Sequence, residues 1–163
     1  TLPAMQVDDI RVHLTMNRWQ TPWLSFADWE MGLSRDLPWT IGISSFLGQV
    51  DADLSGMVLK EAVISTGSGD IRLVAPSELF EAIEVRSTLG NIHIMTPPGI
   101  ASRIYVQERR FFTVNVSEHR YQQDDTQITD NATDTCYIAR DAAPDSQPVN
   151  IYLYGRYGNA YLT

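Results

Sequence analysis

Three tryptophans, Trp19, Trp23 and Trp29, crowd the start of the chain, and two carboxylates, Asp51 and Asp53, follow one residue apart. An indole offers a flat apolar face with a polar edge, a surface on which a sugar ring can stack. Two carboxylates on one face of a strand are the minimum equipment for acid–base cleavage of a glycosidic bond. Cross-strand pairing of Asp51 with Arg72 is the simpler role for the first of them. The other reactive side chains form no constellation. His13, His93 and His119 sit in separate segments, and Gly67-Ser68-Gly69 is followed by neither a helix nor a lysine, so it is no phosphate cradle. Asp124, Asp125, Asp130 and Asp134 lack the spacing and the turn glycine of a calcium loop, so they read as a solvated loop. Cys136 is the single cysteine, which excludes an intrachain disulfide and a cysteine-rich metal site. No catalytic residue, metal ligand or cofactor is expected, and the chain reads as a non-enzyme.

The segments that would position these groups carry a repeat. Gly48, Gly69 and Gly90 are 21 residues apart. The same interval links Ile41, Ala62, Ile83 and Ile104, and it links Ile43, Ile64, Val85 and Val106. Beyond each glycine it links Val50, Ile71 and Ile92, then Ala52, Leu73 and Ile94. Between these lie Asp51, Arg72 and His93, all polar. Apolar positions spaced by two predict strands rather than helices, and a period of about 20 predicts stacked coils. Each repeat is then two short strands meeting at a glycine corner, where a positive φ is needed. The expected class is all-β: a β-solenoid or rolled stacked-strand sheet with a Trp-rich N-terminal cap, its coils about 4.8 Å apart.

The whole reads as one domain over 1–163. An aromatic cap over 1–40 contains an alternating strand at 7–14 that could begin the first coil, then a short helix near 25–33. Residues 41–116 form the repeat core, with turns at 53–56, 75–78 and 96–99. In the next coil Phe111 stands where the corner glycine would be. Residues 117–148 form a polar insertion. The pattern resumes over 149–162 as a last strand, a turn at 155–158 and a returning strand. Tyr152 and Tyr154 then face outward with Tyr161 nearby, either as a binding strip or as a shield for a terminal edge. Gly48, Gly69, Gly90 and Gly158 are the structural turns.

The chain has 20 acidic against 12 basic residues and a net charge of -8, which argues against nucleic acid and against an anionic membrane surface as partners. No apolar run is long enough to span a bilayer. The chain opens on Thr1 rather than Met, which leaves room for a signal or anchor before it.

Leu54-Ser55-Gly56, followed by Leu59 through Leu73 with its Gly67-Ser68-Gly69-Asp70 corner, resembles the bacterial toast-rack domain. That domain occurs in cell-wall-active antibiotic response proteins of the LiaF type and in related adhesin-type domains. Leu89-Gly90-Asn91-Ile92 and Tyr157-Gly158-Asn159-Ala160 are similar to its later repeats. The resemblance implies a stacked-strand fold, bacterial origin and an extracytoplasmic or membrane-associated place in the cell envelope. It carries over no catalytic residue. Two functions follow: an interaction module, adhesive or regulatory, that binds a protein or a second copy of itself; or a carbohydrate-binding or carbohydrate-cleaving solenoid built on the tryptophans with Asp51 and Asp53.

Overall fold

The computed structural model describes residues 4–8, 11–15, 30–124, 134–142 and 146–163. The chain divides into two compact units, Thr1–Leu33 and Ser34–Thr163. In the first, β1 (Ala4–Asp8) and β2 (Arg11–Thr15) pair antiparallel, with Val7 opposite Val12. The single alternating strand expected at 7–14 is thus divided between two strands that pair antiparallel with each other. Trp19, Trp23 and Trp29, with most of the helix expected near 25–33, lie outside the described residues.

The second unit is a stack of parallel coils, and the expected register holds through its first three. Coil one is β3 (Trp39–Leu47) and β4 (Val50–Asp53); coil two is β5 (Val58–Ser68) and β6 (Ile71–Val74). After the short β7 (Glu78–Leu79) beside β5, coil three is β8 (Ile83–Leu89) and β9 (Ile92–Met95). Ile41 lies against Ala62 and Ala62 against Ile83; Ile43 lies against Ile64 and Ile64 against Val85. In the second wall Val50, Ile71 and Ile92 are aligned, as are Ala52, Leu73 and Ile94. Ile64, Ile83, Val85, Ile71 and Ile92 are fully buried. Each contributes about 1.5–3 kcal/mol by leaving water.

The next coil departs from chain order. The interval of 21 carries Ile83 to Ile104, yet Ile151 lies between them, paired with Ile83 on one side and Ile104 on the other. The strands that follow coil three are β10 (Ser102–Gln107), β11 (Phe112–Val116), β12 (Tyr121–Gln123), β13 (Asp134–Ala139) and β14 (Val149–Leu162). The last of these runs through both walls without a hairpin and forms coil four, while β10 and β11 form coil five. The front wall therefore reads β12-β13-β10-β14-β8-β5-β3, and the side wall β11-β14-β9-β6-β4. The turn and returning strand expected at 155–162 are in fact a corner: Gly158 has φ +130°, beside +126°, +138° and +141° at Gly48, Gly69 and Gly90. Since β14 is paired on both sides, its tyrosines shield no terminal edge.

Asp70, Asn91 and Asn159 follow the corners at Gly69, Gly90 and Gly158, and their hydrogen bonds explain why Asp or Asn recurs there. Asp70 Oδ1 accepts from the Asn91 backbone N–H at 2.8 Å, and Asn91 Oδ1 accepts from the Asn159 N–H at 3.1 Å. Asn159 Oδ1 in turn accepts from the Thr113 hydroxyl at 2.7 Å. At Asp70 and Asn91 the short side chain thus satisfies a backbone donor one coil away.

In coil five the corner glycine is replaced by Phe112, not Phe111. Phe112 is the residue paired with Gly158, whereas Phe111 lies beside Tyr157. With no positive φ available to it, the chain instead closes a tight turn in which Arg109 and Phe112 exchange backbone hydrogen bonds of 3.4 and 3.0 Å. The Phe112 ring swings inward and is 1% exposed.

The segment read as a polar loop supplies two strands, and only part of it is loop. Along β13, Tyr105 faces Cys136, and β12 pairs with β13 in turn. This hairpin carries Tyr121 into the core, where its hydroxyl and the Thr96 hydroxyl share a 2.6 Å hydrogen bond. Arg120 donates to the Thr96 carbonyl at 2.6 Å and lies 3.6 Å from Asp141. Burial pushes the Tyr121 phenol above its ordinary value, with the Thr96 hydrogen bond acting in the opposite sense. A raised folded-state pKa means stability that is complete below the unfolded tyrosine value of about 10 and is lost as pH rises through the folded value. Tyr121→Phe is therefore expected to cost about 1 kcal/mol near neutrality through the lost hydrogen bond. It is also expected to flatten the alkaline fall in stability, which urea denaturation at about pH 8 and about pH 10.5 would show. An unchanged alkaline slope would count against this assignment.

Candidate binding face

Outward positions of the front wall alternate with the core positions, so the vertical steps that align the core also build rows of surface side chains. Across coils three, four and five one row is Glu84, Tyr152 and Tyr105. The next is Arg86, Tyr154 and Gln107. Tyr105 and Tyr152 stack with ring centroids 4.8 Å apart and planes 12° apart. Arg86 lies over the Tyr154 ring at 5.4 Å, and its guanidinium is held by Glu84 at 2.5 Å. Burial pushes the Tyr105 and Tyr154 phenols above their ordinary value, and Glu84 adds to the effect at Tyr154.

At the corner the row is Leu47, Ser68, Leu89 and Tyr157, continued by Phe111, which stacks on Tyr157 at 5.7 Å. Leu47 is 71% exposed, Leu89 55%, Phe111 58% and Tyr157 41%. A cleft of about 210 Å³ at Ala101, Ser102, Arg103, Ile138, Ala142, Ser146 and Pro148 is smaller than the usual small-molecule pocket.

Of the residues singled out from sequence, Tyr152 and Tyr154 share this face. Tyr161 belongs to the side wall, where its ring stacks on His93 at 4.8 Å and 11°, so the three do not form one strip. Asp51 is adjacent to Arg72 in register, but its two oxygens instead accept from the Gln49 amide at 2.9 and 2.7 Å. Asp53 accepts from the Ser55 N–H at 3.0 Å, and the Ser55 hydroxyl and amide hold its carboxyl below the usual range. Each carboxylate is engaged within its own turn. Cys136 is buried beside Tyr105, and burial, with Asp124, pushes its thiol up.

Tyr105, Arg86 and the Phe111–Tyr157 pair were not singled out from sequence. Tyr105 has the same outward parity as Tyr152, but nothing in the sequence says that their strands are neighbours.

No protein-family model and no curated protein matches this chain. A solved structure from Clostridium sporogenes, described as a candidate cell adhesion protein, aligns over 98% of this chain and 74% of its own, with a TM-score of 0.66 and 18% identity. The likeness is one of fold. The stacked-strand architecture is thus shared with that protein, and the narrower toast-rack resemblance rests on the corner motifs alone.

Proposed function

We propose that this chain is a non-enzymatic interaction module of the bacterial cell envelope, adhesive or regulatory, that presents the outer face of its front wall to a protein partner. The observation that carries this reading is the Tyr105–Tyr152 stack, with Tyr154, Arg86 and Glu84 beside it, on strands hydrogen-bonded on both sides. Tyrosine and arginine on a rigid support are the residue types that dominate protein interfaces, because they offer large contact area at low ordering cost. The adhesin-like fold is in keeping with a surface role, and the toast-rack resemblance with an envelope location. The engagement of Asp51 by Gln49 and of Asp53 by Ser55 favours a binding role over glycoside cleavage.

The test has two parts. Fractionation of cells making the full-length protein is expected to place it with the envelope, and a purely cytosolic protein would overturn the reading. A glycan array paired with tryptophan fluorescence is expected to be silent; a saturable saccharide response would favour carbohydrate recognition instead.

A further inference from the structure

The corner ridge differs from the tyrosine face in its charge. Arg110 lies over the Phe111 ring at 5.4 Å and Arg156 over the Tyr157 ring at 5.6 Å, flanking the stacked pair. Among the described residues neither guanidinium has a carboxylate partner; the ion pairs there are Lys60–Glu81, Arg86–Glu84 and Arg120–Asp141. Arg109 donates to Gln107, and burial, with Glu108 adding to it, pushes the Tyr137 phenol above its ordinary value. In a chain of net charge -8, two unpaired guanidiniums are thus held over exposed aromatic rings beside Leu89. Each ring already has a ring neighbour and a guanidinium neighbour, which disfavours sugar stacking. What remains on offer is a pair of cationic forks suited to bidentate carboxylate contact, next to an apolar step.

We infer that the corner ridge formed by Leu89, Tyr157, Phe111, Arg110 and Arg156 binds an acidic, leucine-bearing peptide segment of a protein partner. The inference rests on the protein-binding reading above and names the chemistry of that partner. Carboxylates of the segment meet Arg110 and Arg156, while its apolar side chains cover Leu89 and the edges of Tyr157 and Phe111. Complementary charge at a partly exposed site speeds encounter and weakens as salt rises.

The probe is a fluorescein-labelled peptide of alternating Glu and Leu, read by anisotropy against the whole chain, with a Lys–Leu peptide and polyglutamate as controls. Saturable binding of the Glu–Leu peptide is expected, weakened about tenfold or more by Arg110→Glu with Arg156→Glu, and also weakened by Leu89→Ser. Both changes lie on exposed side chains, and unchanged urea midpoints would confirm folding. Absence of binding, equal binding of the Lys–Leu peptide, equal binding of polyglutamate, or insensitivity to the arginine changes would each overturn the proposal. A silent peptide with a silent glycan array removes the ridge alone, whereas a saccharide response on the array removes the wider reading.

Discussion

Gly69→Ala is expected to lower the unfolding free energy by roughly 2–6 kcal/mol, as backbone strain of about 1–3 and overpacking of about 1–3 combine. Gly69 holds φ +138°, a conformation L residues rarely adopt, and a Cβ there would collide with the carbonyl oxygen of Gly48. The oxygen cannot retreat cheaply, because it belongs to the corner of the coil stacked against it, whose Gly48 N–H donates to Ser68 at 2.9 Å. Gly90 and Gly158 meet the same obstacle from the carbonyls of Gly69 and Gly90. Gly42 supplies the contrast: a Cβ there meets nothing within 4 Å, and Gly42→Ala should fall within about 0.5 kcal/mol of the parent. Equal urea midpoints for the two variants would contradict the corner geometry.

A second large effect is expected where coil five lost its glycine. The inner positions just before the corner are Ser45, Thr66 and Ser87 in coils one to three and Gly155 in coil four. The row stays small, and at Gly155 the space is taken by the Phe112 ring, which a Cβ would overlap. Phe112→Ala should cost about 3–5 kcal/mol as a buried aromatic is removed, and Gly155→Ala about 1–3 kcal/mol or more by overpacking. Made together, they should cost less than their sum by roughly 1–3 kcal/mol, because the added methyl enters space the ring has vacated. A thermodynamic cycle by chemical denaturation reads this directly, and additivity within about 0.5 kcal/mol would show that the two sites do not touch.

Coils one to three were legible because the cause of their regularity is local: each corner needs glycine, each strand alternates, and the interval between corners is constant. The position of β14 was not legible for the opposite reason. Ile104 and Val106 have the right parity to sit on either Ile83 and Val85 or Ile151 and Leu153, and a parallel backbone ladder does not distinguish them. Tyr157-Gly158-Asn159 marked a corner but not its level in the stack. The shift from Phe111 to Phe112 has a similar origin, since without glycine the corner loses its only sequence marker. Of the candidate site, Tyr152 and Tyr154 could be read from alternation alone. Tyr105, Arg86 and the arginine-flanked ridge join them only through strand neighbours distant in sequence, and Tyr161 parts from them because a corner intervenes at Gly158.

The interleaving of β14 also constrains how the molecule can be made. During synthesis the ribosome releases coil three and both strands of coil five well before the segment that must lie between them. A nascent chain that zipped its coils in order of appearance would close the gap prematurely, setting Ile104 on Ile83, and would have to reopen. Slow, long-range closure of this kind calls for either patience or a chaperone, and makes the late insertion step the point at which assembly most easily goes astray.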